Sequence, residues 1–143
     1  MLILRKESIV KIINHLHENY TLQTNLNLIA EHSDRIAYNT FEGMRIRMSK
    51  DVMGEAEMAL NFVSKESFGL EIDCDAIELV LSSALSPSGF TPQTARRLTH
   101  FFSCHKNTSY LHICEAAPDP QKPDEMLAVG KLLSYLVSDF IRK

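Results

Sequence analysis

Nothing in this 143-residue sequence stays apolar for the roughly 20 residues that a bilayer-crossing helix requires. The amino-terminal MLILRKES likewise lacks the long apolar core and small-residue cleavage site of an export signal, so a cytoplasmic protein without membrane contact is expected. Charge of one sign is also scarce: the formal net charge is −3, which leaves no basic footprint for nucleic acid or for an anionic membrane. Cysteines number only three, Cys74, Cys104 and Cys114, scattered through apolar segments with no C-x-x-C pair. A disulfide framework and a structural zinc site are thereby excluded, and the thiols read as reduced core residues. Internal repeats, low-complexity tracts and linkers are absent too.

What is present is an ordinary globular composition, 45% hydrophobic and 23% charged, in a length suited to one domain with a real core. Residues 1–143 are read as that single domain. Ile9 to Leu16 is open between two readings: its apolar positions 9, 12, 13 and 16 have helical spacing, whereas its β-branched content favours a strand. Leu22 to Glu31 reads as a short helix ended by His32, Ser33 and Asp34, and Arg35 to Phe41 as a strand. Ser49 to Lys65 has one apolar face, with Ser49 or Asp51 as its cap. Phe68 to Ile72 reads as a buried strand, Ile77 to Leu85 as a short helix, and Pro87 to Phe90 as a loop. Thr91 and Pro92 supply a capping hydroxyl and a first-turn proline for a helix to about Ser103. Thr108 to Cys114 reads as a strand and Pro123 to Ile141 as the last helix. Alternation of strand and helix implies an α/β fold, a parallel sheet with helices on its faces, in which ligands collect outside the carboxyl ends of the strands.

Three acidic residues fall at such ends. Asp73 and Asp75 follow the strand Phe68 to Ile72 at alternate positions, so a continued strand would point both the same way. Paired carboxylates repel unless a divalent cation or strong donors lie between them. Asp-x-Asp at a strand end also serves as a turn or helix cap, and the pattern alone leaves both roles open. Glu115 ends the later strand. His15 and His17 alternate near another strand end, and His112 lies three residues before Glu115. Each histidine is open to a ligand or proton-transfer role or to a plain surface or core role.

The runs Ile72-Asp73-Cys74-Asp75-Ala76-Ile77, Ser86-Pro87-Ser88-Gly89-Phe90-Thr91 and Ile113-Cys114-Glu115-Ala116-Ala117-Pro118 together resemble the carboxyl-terminal part of the arginase, agmatinase and formimidoylglutamase (ureohydrolase) family. In that family an apolar strand ends in Asp-x-Asp, a Pro- and Gly-rich loop leads to Gly-Leu-Thr and a helix, and a later strand ends in Glu with proline soon after. The resemblance covers about Ser8 to Lys143. It implies the carboxyl-terminal half of a three-layer α/β/α arginase-like fold, with Ile9 to Leu16 a strand. It further implies binuclear manganese, with Asp73 bridging two ions, Asp75 binding one of them, and Glu115 pairing with the amidinium or guanidinium of a small-molecule substrate. A metal-bridging hydroxide would then cleave a linear amidine C–N bond. Cys-Glu-Ala-Ala-Pro stands closer to formimidoylglutamase-like members than to arginases.

The departures matter as much. Neither of the family's other ligand segments, Gly-Gly-Asp-His and Asp-Ala-His-x-Asp, occurs here. Ala76, Ile77 and Glu78 replace the usual Leu-Asp-Pro, Ala116 the usual Val, and His112 a residue that is often acidic. A fragment with half of the binuclear site is therefore expected, inactive by itself. Its partners would be a second copy, as a homo-oligomer, or a missing amino-terminal half, since an incomplete sheet exposes an edge and apolar faces. A non-catalytic association half-domain is one alternative. A haloacid-dehalogenase-like phosphatase is another, although the Gly-Thr expected after its Asp-x-Asp is absent.

Overall fold

The computed structural model describes the backbone of residues 2–6, 9–16 and 23–142, with side chains at 24, 27 and 29–142. His17 and the polar stretch Glu18 to Thr21 lie outside the described residues, and His15 is described only as part of a strand backbone. Among the described residues no helix is long and apolar enough to cross a membrane.

Leu2–Lys6 (β1) and Ile9–Leu16 (β2) pair antiparallel, and β2 runs parallel to Ile36–Thr40 (β3). Phe68–Asp73 (β4) pairs antiparallel with β1 and parallel with Thr108–Cys114 (β5). The five-stranded sheet has the order β3-β2-β1-β4-β5. Every strand but β1 therefore runs in one direction, and β1, which the alternation of elements did not reveal, lies reversed between two parallel pairs. At Ile9–Leu16 β-branched content prevails over helical spacing, because the strand gains pairing partners on both edges.

The helices are Gln23–Glu31 (α1), Val52–Val63 (α2), Pro92–Ser103 (α3) and Pro123–Ile141 (α4). Their starts follow the expected chemistry. Asp51 accepts from Gly54 N at 2.8 Å to cap α2, and Thr91 accepts from Thr94 N at 3.1 Å to cap α3 with Pro92 in its first turn. Between β3 and α2, Glu42–Ile46 forms one wide π-helical turn.

Alternation along β4 sends Phe68, Leu70 and Ile72 to one face, where they join Ala56, Ala59 and Val63 of α2 and Ala95, Leu98 and Phe102 of α3 in a single buried cluster. Leu136 of α4 reaches the same cluster. A bidentate pair, Arg96 Nε and Nη2 to Asp139 at 2.6 and 3.0 Å, ties α4 to α3. The other face of β4 and β5 is more open: Tyr110 lies over Gly69 and donates to Glu71 Oε1 at 3.2 Å, while His112 is exposed beside Glu71.

Two expectations are corrected. Ile77 to Leu85 is not a helix; the helical turn comes earlier, at Cys74–Ala76, and the chain then runs through bends. Leu79 and Leu85 have φ of 59° and 46°, and the backbone of the segment is taken by bridges from Ile77 to Phe90 and from Ser82 to Ala116. Those long-range bonds displace the local ones a helix would need. Nor are all three cysteines core residues. Cys74 is fully buried, Cys114 is half-buried, and Cys104 is exposed at the end of α3.

Candidate active site at the carboxyl ends of β4 and β5

The parallel register of β4 and β5 sets Asp73 beside Cys114, so Glu115 stands one residue beyond the partner of Asp73 at the same end of the sheet. Asp75 arrives by a different route from strand alternation. The strand stops at Asp73, whose Oδ1 accepts from Asp75 N at 2.9 Å and so caps the turn Cys74–Ala76 that carries Asp75. Both carboxylates thus sit on one short turn.

Strong donors hold the second carboxylate. Asp75 Oδ2 accepts from Ser83 Oγ at 3.0 Å and Oδ1 from Ala84 N at 2.9 Å. Partial burial raises the pKa of Asp75, but the Ala84 N–H and the hydroxyls of Ser82 and Ser83 outweigh it, so the carboxyl titrates below its ordinary value. Ser82 contributes through proximity: its buried hydroxyl makes no hydrogen bond of ordinary geometry. Carboxylates that would otherwise repel are therefore stabilised by protein donors.

Residues 81–84 also reach β5. Ser83 N donates to Glu115 O at 3.2 Å and Ala117 N to Leu81 O at 2.9 Å. One segment therefore fastens Asp75 through the Ser83 side chain and the Glu115 backbone through the Ser83 amide. Glu115 has φ 63°, a left-handed conformation that costs a non-glycine residue about 1–2 kcal/mol and turns the chain out of the strand. Its side chain is exposed.

Asp73, Asp75 and Glu115 thus share one end of the sheet, as the sequence suggests. Among the described residues no group of three or more His, Cys, Asp or Glu side chains is placed to hold a metal ion, so Glu115 does not join the two aspartates in a ligand cluster. His112 projects on the exposed face of β5, opposite the core, and pairs in register with Glu71. Sequence reasoning missed Ser82 and Ser83. Their signal was available, since consecutive serines compete for local backbone partners and argue against a helix there. A cavity of about 370 Å³ lies nearby rather than at the acidic residues, walled by Leu79, Val80, Leu81, Arg96 and Tyr135 among others.

A mixed sheet covered by helices, with acidic residues at the carboxyl ends of neighbouring parallel strands, defines an α/β protein with its candidate site where such folds place one. No protein-family model matches the chain, and comparison with curated proteins yields no significant match. Solved structures do match. The chain is similar to arginase from Bacillus subtilis, with a TM-score of 0.74 and 14% identity over 93% of this chain and 45% of that one. It is similar to formimidoylglutamase from Bacillus subtilis, with a TM-score of 0.74 and 14% identity over 92% of this chain and 40% of that one. A Trypanosoma cruzi formiminoglutamase structure with Mn2+ gives a TM-score of 0.73 and 11% identity over 91% and 43%. The fold is arginase-like, and the chain spans less than half the length of these proteins.

Proposed function

We propose that these residues form the carboxyl-terminal part of a manganese-dependent ureohydrolase, formimidoylglutamase-like in its action on a linear amidine or guanidine C–N bond, and that alone they have little or no hydrolase activity. The observation carrying this reading is the β4–β5 register, which delivers Asp73, Asp75 and Glu115 to one sheet end. Glu115, exposed and in the left-handed conformation, is the residue for a planar cationic group, since a carboxylate grips an amidinium with two parallel hydrogen bonds. Asp73 and Asp75 are the family-like metal ligands.

The described residues do not complete a binuclear manganese centre. Manganese needs near-octahedral oxygen and imidazole donors, yet both oxygens of Asp75 already accept hydrogen bonds and no third ligand side chain joins the pair among the described residues. The remaining ligands would come from polypeptide beyond these 143 residues. Calorimetric titration of the purified chain with MnCl2, alongside assays for ammonia, formamide and urea from amidine and guanidine substrates, tests this. Weak manganese binding without product is expected. Product release by the chain alone overturns the half-site reading.

An association half-domain is a second reading, favoured by the open face of β4 and β5, where Tyr110 remains 42% exposed. It predicts that a separately made amino-terminal half of a ureohydrolase-like sheet protects Tyr110 from solvent without conferring activity.

A further inference from the structure

We infer that the outward face of α4 is an antiparallel docking surface for α4 of a second copy of this chain. The helix buries Val129 and Leu136, yet Leu127, Val137 and Ile141 on its far side are 57%, 43% and 69% exposed. With Gly130 and Ser134 they recur at intervals of three and four residues, the spacing of a two-helix seam, along about 21 Å of helix.

The occupant follows from the order of residues along the stripe. Run against itself with Ser134 at the dyad, the stripe sets Leu127 opposite Ile141 and Gly130 opposite Val137. Gly130 is the hole: a Cβ built there meets nothing within 4 Å, and Ser134 turns its hydroxyl back to Gly130 O at 2.7 Å, leaving room for a close helix. The ends agree as well. Asp124 in the first turn lies on the same flank as Arg142, the residue that follows the last turn at the C-cap, so antiparallel pairing brings each Asp124 towards the partner's Arg142. A parallel pair would align Gly130 with Gly130 and Asp124 with Asp124, leaving a void and a repulsion, and would also align the helix dipoles unfavourably. The seam is small beside the ~1,600 Å² of a standard interface, so association in the micromolar range is expected.

Sedimentation equilibrium of the full 143-residue chain tests the inference, with Gly130→Leu as the first variant. That substitution fills the hole and raises helix propensity, so it leaves the fold intact while weakening the dimer at least tenfold. Cysteine cross-linking in a Cys104→Ser background then reads the orientation. Ser134→Cys alone is expected to give a disulfide-linked dimer, Leu127→Cys alone is not, and Leu127→Cys with Ile141→Cys is. A chain monomeric at every concentration, a dimer indifferent to Gly130→Leu, or ready cross-linking through Leu127→Cys alone overturns it.

Discussion

Two glycines test how tightly the backbone is packed around the candidate site. A Cβ on Gly89 would stand 2.5 Å from Ala76 O and 2.9 Å from Glu78 N, both backbone atoms that cannot turn aside. It would break the paired bonds Phe90 N to Ala76 O at 2.8 Å and Glu78 N to Phe90 O at 2.9 Å, which close the loop carrying Ser83 and Ala84, the donors to Asp75. Gly69 also looks intolerant, with the Tyr110 ring 1.9 Å from its Cβ position, but that ring is partly exposed and can swing away. Gly89→Ala should therefore cost about 1–3 kcal/mol in urea denaturation, and Gly69→Ala only about 0.5–1 kcal/mol, the worth of the Tyr110–Glu71 hydrogen bond. The cysteines divide just as clearly. Burial, with the neighbouring Asp73 carboxylate, pushes the Cys74 thiol up to about 11, whereas Cys104 is open to solvent. A thiol reagent at neutral pH should label Cys104 rapidly and leave Cys74 unmodified until the chain unfolds.

At the scale of elements, the sequence was most legible where local chemistry and tertiary pairing agree. Thr91 with Pro92 marked the start of α3, and the apolar run ending at Asp73 marked β4, both as found. Strand β1 was hidden because its partners β2 and β4 are distant or reversed, and nothing local in Leu2–Lys6 announces an antiparallel insertion. The acidic residues themselves were legible, but their means of support was not, since Ser83 reaches Asp75 only after residues 77–85 leave the helix that their apolar content suggests. Leu79 decides between the two states by sign. It is 80% exposed with φ 59°, so Leu79→Gly relieves left-handed strain with little loss of burial and should stabilise by about 0.5–1 kcal/mol. Were the segment helical, the same change would cost about 1 kcal/mol. Thermal denaturation monitored by circular dichroism distinguishes a rise in Tm from a fall.

For the molecule as a whole, the depressed carboxylates set the response to acid. Asp139 titrates below its ordinary 3.8 mainly because Arg96 donates to it, and Asp75 below the same value because the Ala84 and Ser83 donors, with the Ser82 hydroxyl close by, overcome its burial. A carboxyl whose folded pKa is lowered binds its proton more readily when unfolded. Its stabilisation is therefore present above about pH 4 and is lost as pH falls through the folded value. The two sites act on different joints. Asp139 holds α4 to α3, and Asp75 holds the 81–84 segment across the ends of β4 and β5. The unfolding free energy of the parent chain should accordingly decline between about pH 4 and pH 2. Asp139→Asn and Asp75→Asn should each be less stable than the parent at pH 7, and each difference should shrink on acidification as the parent carboxyl becomes neutral too. Because the joints share no hydrogen-bond partner, the double variant should show the sum of the two losses. Urea titrations of the four proteins at pH 7, 4 and 2.5 measure this directly. A difference that widens in acid would mean that the carboxylates destabilise the fold, contrary to the hydrogen bonds they accept.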